Sequence, residues 1–249
     1  MQVIVDDIDT EYRDVGFGPL VLLLHGWGGD AFSFNSLTEE LKGKRCISFS
    51  FPGFGKSGAP TGSWGVFEYA KFLTAFLKKL NLPAVDTVIA HSFGGRVAIK
   101  AIARGILFPK KLVLIGAAGV SQKTISQRCL FAVTAFGKMI ISLIPSVSIQ
   151  RWLTSCVACA IGSEDYCNAG SLKDTFVKIV NEDLRGDASN IKTPTLLIWG
   201  DQDRQTPISD ARVLQSCIQC SQLKIIEGAG HFVFTTEIKR VANMINAFV

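Results

Sequence analysis

Short β-branched or leucine-rich runs alternate along the chain with longer stretches of apolar residues at helical spacing. This is the pattern of an α/β protein built on a largely parallel sheet. Residues 11–15 and 20–24 read as strands joined by the turn Gly16-Phe17-Gly18-Pro19, and residues 46–51 as the next strand. The recurrence of Phe67, Ala70, Phe72, Leu73, Phe76, Leu77 and Leu80 predicts a helix ending before Asn81-Leu82-Pro83. A short buried strand over 87–90 leads into a small-residue helix over 93–104, and residues 112–115 form another strand closed by Gly116-Ala117-Ala118-Gly119.

There the rhythm breaks. Residues 120–187 show no strand and read as short helices separated by Pro145, Gly162 and Gly170. Alternation resumes with a strand over 195–199, a helix over 208–217, a strand over 223–226 and a closing helix over 237–248. One α/β core, residues 1–119 and 188–249, interrupted by a helical insertion at 120–187, explains this better than two domains.

Composition narrows the class. Apolar residues make up 48% of the chain, enough to cover a sheet on both faces. Charged residues make up 19%, too few for a disordered or nucleic-acid-coating protein, and the net charge of +5 is scattered without a Lys/Arg run. The first residues, Met1-Gln2-Val3-Ile4-Val5-Asp6-Asp7, lack the basic and apolar regions of a signal peptide. No apolar segment reaches the roughly 18 to 20 uncharged residues that cross a bilayer. Seven cysteines, an odd and sparse set, point to a reducing cytoplasm rather than a disulfide scaffold.

The chemistry gathers at predicted strand ends. Ala90-His91-Ser92-Phe93-Gly94-Gly95 lies between a strand and a small-residue helix, where a sharp turn exposes a serine and small neighbours are needed on either side. A serine hydroxyl needs a base, and the base a carboxylate. The three histidines are His25, His91 and His231. His91 adjoins the serine and faces away from it, His25 ends an early strand, and His231 follows the last strand in a glycine-rich loop at the sheet edge of Ser92. Asp201 and Asp203 both qualify as the carboxylate, on the turn after the 195–199 strand.

With His25-Gly26-Trp27-Gly28-Gly29, Pro52-Gly53-Phe54-Gly55-Lys56-Ser57, the serine turn, Gly200-Asp201-Gln202-Asp203 and Gly230-His231-Phe232 in this order, the chain resembles the α/β-hydrolase superfamily over essentially its whole length. The resemblance implies an α/β fold, a mostly parallel sheet flanked by helices, with the insertion as a helical lid. It implies a Ser92, Asp203, His231 triad, with Asp201 shaping the turn. It implies an oxyanion hole from the backbone N–H groups of Trp27 and Phe93, each worth about 3 kcal/mol of barrier. His25 becomes a structural anchor. The implied activity is a serine esterase working without a cofactor or metal. C–C bond or thioester hydrolysis on the same triad, and a slow or inactive ligand receptor of the same fold, are the alternatives. A serine at position 92, where epoxide hydrolases and dehalogenases of the family use an aspartate, argues against those chemistries.

Two positions depart from the family pattern. Ala90 replaces the first glycine of the serine turn, and Ser50-Phe51 stands where an acidic residue often precedes Pro-Gly. Phe54-Gly55-Lys56-Ser57 mimics the end of a phosphate-binding loop, but Ser50 replaces its required glycine, so nucleotide binding is rejected. Cys156/Cys159 and Cys217/Cys220 are read as small buried cysteines rather than a zinc site.

The insertion bears on substrate. Residues 120–163 hold no acidic side chain but include Lys123, Arg128, Lys138 and Arg151. Three readings fit: an ordinary amphipathic cap, an acyl tunnel lined by Phe131, Phe136, Met139 and Ile140 with a basic rim, or weak adsorption to anionic lipid. The expected partner is a small ester or acyl substrate, with an acyl carrier or anionic surface as a weaker candidate, and neither nucleic acid nor stable membrane insertion.

Overall fold

Every residue of Leu20–Leu24 (β3) is buried. Val21 and Leu23 enter one apolar layer and Leu20, Leu22 and Leu24 the other, so this strand must be covered on both faces. In the computed structural model, which describes residues 1–82, 84–121, 149 and 164–249, it lies inside an eight-stranded sheet. The other strands are β1 (Gln2–Val5), β2 (Ile8–Gly16), β4 (Arg45–Phe49), β5 (Thr87–His91), β6 (Lys111–Ile115), β7 (Thr195–Gly200) and β8 (Ser221–Ile226). Their order is β1-β2-β4-β3-β5-β6-β7-β8, with β1 and β2 antiparallel to their neighbours and the remaining pairs parallel.

Helices are numbered here among the described residues. The helices α2 (Val66–Lys79), α3 (Phe93–Ala103) and α7 (Ile208–Cys217) bury Tyr69, Phe72, Phe76, Val97 and Leu214 in one layer. On the opposite face α1 (Asn35–Glu40), α8 (Val233–Thr236) and α9 (Ile238–Phe248) supply Leu37, Val233, Phe234, Val241 and Ile245. The predicted mostly parallel sheet flanked by helices is therefore present.

Of the insertion, the described part is its return to the core: α4 (Glu164–Asn168), a 3-10 turn (Gly170–Leu172), α5 (Lys173–Asn181) and α6 (Arg185–Ala188). Residues 122–148 and 150–163 lie outside the described residues, and with them the proposed tunnel residues Phe131, Phe136, Met139 and Ile140 and the basic rim. The backbone N–H of Leu184 donates to Gly119 O at 2.8 Å, so the chain re-enters the core beside the point where it left. The return is also clasped ionically to α3. Buried Lys100 places its Nζ 2.8 Å from Glu182 Oε1 and 2.5 Å from Asp187 Oδ2, and Arg96 donates to Glu182 O at 2.7 Å. Among the described residues, no helix is long and apolar enough to cross a membrane.

Candidate active site

Strand β5 ends at His91 and helix α3 opens at Phe93, leaving Ser92 alone to turn the chain. It does so at φ 47° and ψ −111°, a conformation that costs a non-glycine residue on the order of 1–3 kcal/mol. Close packing under the turn enforces it. A Cβ at Gly94 would stand 2.3 Å from the Leu24 carbonyl oxygen, and one at Gly95 2.5 Å from the Ala117 Cβ. Only bare backbone lets α3 approach the ends of β3 and β6 this closely. Ala90, the departure from the family pattern, is accommodated with its side chain fully buried.

Across the same sheet edge, His231 and Asp203 meet: His231 Nδ1 lies 2.8 Å from Asp203 Oδ2. Both are buried, at 7% and 5% exposure, so this contact is poorly screened. Burial pushes the Asp203 pKa up, but hydrogen bonds from His231 and Thr206 outweigh it and hold the carboxyl below its ordinary value. The amides of Gln205 and Thr206 donate to Asp203 Oδ1, both at 2.9 Å, and the Thr206 hydroxyl donates to Oδ2 at 2.8 Å. Asp201 is exposed and accepts from Gly228 N at 2.8 Å, bracing the loop that leads to His231. Sequence reasoning missed Thr206, although a threonine three residues after an aspartate in a turn is a recognisable signal.

Among the described residues the Ser92 hydroxyl makes no hydrogen bond to His231, whose Nδ1 faces both Asp203 Oδ2 and the Thr206 hydroxyl. Ser92 is half-buried, while His91 next to it donates to the backbone oxygen of His231.

The backbone N–H groups of Trp27 and Phe93 donate to no partner among the described residues. For Phe93 this follows from its place in the first turn of α3, where N–H groups have no intrahelical acceptor. The Trp27 ring packs edge-on against Phe54, Phe93 and Phe176, with centroids 4.8, 5.6 and 4.9 Å away, so α5 brings an aromatic wall to this point.

His25 is spoken for at both nitrogens: Nδ1 donates to Gly26 O at 2.7 Å, and Nε2 accepts from Phe51 N at 2.9 Å. Burial lowers its pKa to about 4. The missing acidic residue before Pro52 is replaced in space by Glu11 of β2. Its Oε2 accepts from the Ser50 hydroxyl at 2.9 Å and from Lys56 N at 3.1 Å.

Among the described residues, no group of three or more His, Cys, Asp or Glu side chains could hold a metal ion. Cys217 is half-buried and Cys220 exposed, and both are free thiols; Cys156 and Cys159 lie outside the described residues.

A family model described as "Alpha/beta hydrolase family" matches residues 21–244. The chain is 26% identical over 271 residues to a 2-hydroxy-6-oxo-2,4-heptadienoate hydrolase of Pseudomonas putida, covering 99% of this chain and 95% of that one. It is 23% identical to Lipase 3 of a Moraxella species, over 93% of this chain and 77% of the lipase. Among solved structures, an esterase from Exiguobacterium antarcticum superposes with a TM-score of 0.75 at 23% identity, covering 99% of this chain and 98% of the esterase.

Proposed function

Because the chain belongs to the α/β hydrolase family, we propose that it is a serine hydrolase cleaving a carboxylic ester, or a related acyl bond, of a small and largely apolar molecule. The observation that carries this reading is the buried 2.8 Å contact of His231 with Asp203, at the sheet edge where Ser92 takes its strained turn. In this reading His231 accepts the Ser92 proton and the serine oxygen attacks the carbonyl carbon. The Trp27 and Phe93 amides hold the resulting oxyanion. His231 returns the proton to the departing alcohol, leaving an acyl-enzyme. Water, deprotonated by the same histidine, then releases the acid. Asp203 keeps His231 in the tautomer with its proton on Nδ1 and stabilises the cation. No step calls for a cofactor. In this reading the insertion at 120–187 serves as a lid, and its described part brings Phe176 against Trp27.

Reaction with a fluorophosphonate probe tests the nucleophile: labelling is expected, and Ser92→Ala is expected to abolish it. No labelling of the folded wild-type protein would favour a ligand receptor of the same fold. A second reading, C–C bond hydrolysis, is favoured by the full-length similarity to the Pseudomonas putida hydrolase. A panel of p-nitrophenyl esters of increasing acyl length, run beside a vinylogous diketone, separates the two. Faster turnover of the diketone than of any ester would displace the esterase reading.

A further inference from the structure

His91 is buried, at 3% exposure, and has no part in the reaction described above, yet it touches three sides of the site. It is joined through the backbone to Ser92. Its Nε2 lies 3.1 Å from the main-chain oxygen of His231, and its ring packs, tilted, against the His231 ring and Phe234, with centroids 4.6 and 4.7 Å away. On the other side it fills the space beneath the glycine that precedes Trp27. A Cβ at Gly26 would stand 2.7 Å from His91 Nδ1 and 3.3 Å from the Ser92 Cβ. We propose that His91 is a positioning residue that sets the spacing between the nucleophile, the oxyanion loop and the base. Its neutral Nε2–H holds the His231 backbone, and its ring bears on Gly26.

The chemistry of the contact fixes the tautomer. A carbonyl oxygen only accepts, so Nε2 must carry the proton. Burial first, and the neighbouring His231 second, lower the His91 pKa to about 3, so the ring stays neutral near pH 7. A neutral donor is what this place needs, because a second imidazolium against His231 would oppose the cation that forms during catalysis. The aromatic side chains Phe232 and Phe234 flank the ring and leave it little room to turn. A group held this way acts through geometry, and a misplacement of about 1 Å at a reacting centre can cost roughly a hundredfold in rate.

This role presupposes the serine-hydrolase reading of Ser92 and His231, and the test separates the two. The kcat and KM for p-nitrophenyl butyrate are measured for wild type, Ser92→Ala, His91→Met and His91→Gln. Met and Gln have nearly the same size and flexibility, but only Gln offers an N–H to the His231 carbonyl. In His91→Met, kcat is expected to fall about tenfold to a hundredfold with KM nearly unchanged, the pattern of an interaction felt in the transition state. His91→Gln is expected to recover most of that loss. Met as active as wild type, Gln no better than Met, or a rise in KM alone would overturn the role. Full activity in Ser92→Ala would instead overturn the serine-hydrolase reading. Should His91→Met fail to fold, the wild-type protein decides. Nitrogen-15 spectra of its labelled histidines at pH 7 are expected to show His91 neutral with its proton on Nε2. A proton on Nδ1, or a cationic ring, would overturn the proposal.

Discussion

The Thr206 hydroxyl donates to Asp203 Oδ2 at 2.8 Å, the same oxygen that faces Nδ1 of His231. It also lies 3.1 Å from Gly116 O, and the Thr206 main-chain oxygen accepts from the Trp199 indole at 2.8 Å. One threonine therefore ties the carboxylate to the ends of β6 and β7.

Thr206→Val keeps the backbone donor to Asp203 and removes the hydroxyl. Losing a hydrogen bond to a charged group costs about 1.5–3 kcal/mol. Urea unfolding at pH 7 should show a loss of that order, and esterase turnover should fall by roughly tenfold as the carboxylate loosens. A valine variant as stable and as active as wild type would mean that the amides of Gln205 and Thr206 suffice to hold Asp203.

The two aspartates of the turn have separate partners, so their amides should behave differently. Asp203→Asn replaces the acceptor facing His231 Nδ1 and stabilises the wrong tautomer, which costs a related triad about 10⁴ in kcat. A loss of about a thousandfold or more is expected here on the same ground. Asp201→Asn keeps a side-chain oxygen for Gly228 N and should cost less than about tenfold. Steady-state kinetics of the two variants side by side checks this. Equal damage from both would remove Asp203 as the acid.

How much of this could be read from the chain varied with the kind of signal. Central strands such as β3 and β7 announce themselves because both faces are buried and, Thr195 of β7 apart, no position is polar. The first strand, Gln2–Val5, did not. It is an edge strand with mixed exposure, and its turn uses Asp6 and Asp7 at φ 46° and 62° rather than the familiar Asn-Gly pair. Helix α1 is also absent from the pattern because it is short and buries only Leu37. At the site, Ser92 and His231 stood out by their residue types and by the strand ends they follow, whereas Asp203 was separated from Asp201 only by the resemblance to the α/β-hydrolase superfamily. The bridging role of His91 and the carboxylate of Glu11 did not, since each depends on a partner distant in sequence, whereas Thr206 lies only three residues from Asp203 and was overlooked. Glu11 meets Ser50 only because β2 pairs with β4, and no local periodicity encodes that pairing.

Gly94 offers a test of the turn itself. An added methyl would stand 2.3 Å from the Leu24 carbonyl oxygen and 2.7 Å from that of His25, both backbone atoms with no freedom to swing aside. Overpacking of this kind costs about 1–3 kcal/mol or more. Gly94→Ala should therefore lower the melting temperature by several degrees and displace Ser92, with fluorophosphonate labelling slowed more than stability alone explains. By contrast, Gly186→Ala, where an added methyl meets nothing within 4 Å, should be close to neutral. Equal behaviour of the two variants would show that α3 shifts freely against β3.

The acid limb of stability should begin with histidines rather than carboxylates. Burial lowers the pKa of His25 from 6.5 to about 4 and that of His91 from 6.5 to about 3, whereas the unfolded chain titrates both near the ordinary value. Below pH 6.5 the unfolded state therefore binds protons that the folded state refuses, and stability falls as pH falls. The contribution of each histidine is fully present above that pH. It drains away down to about pH 4 for His25 and about pH 3 for His91. Each tenfold in proton affinity is worth about 1.4 kcal/mol, so at pH 5 each histidine has removed roughly 2 kcal/mol. Asp203, whose pKa is held below its ordinary value, adds to this only below about pH 4, as its carboxyl begins to protonate. Against a total stability of about 5–15 kcal/mol, a combined loss of roughly 4 kcal/mol is readily measured. Urea midpoints at pH 7.5 and pH 5 should differ accordingly. His25→Gln, which has no proton to gain, should remove about half of the difference whatever it does to stability at pH 7.5. Identical midpoints at the two pH values would mean that both rings accept protons in the folded state, and so that neither is held as its hydrogen bonds require.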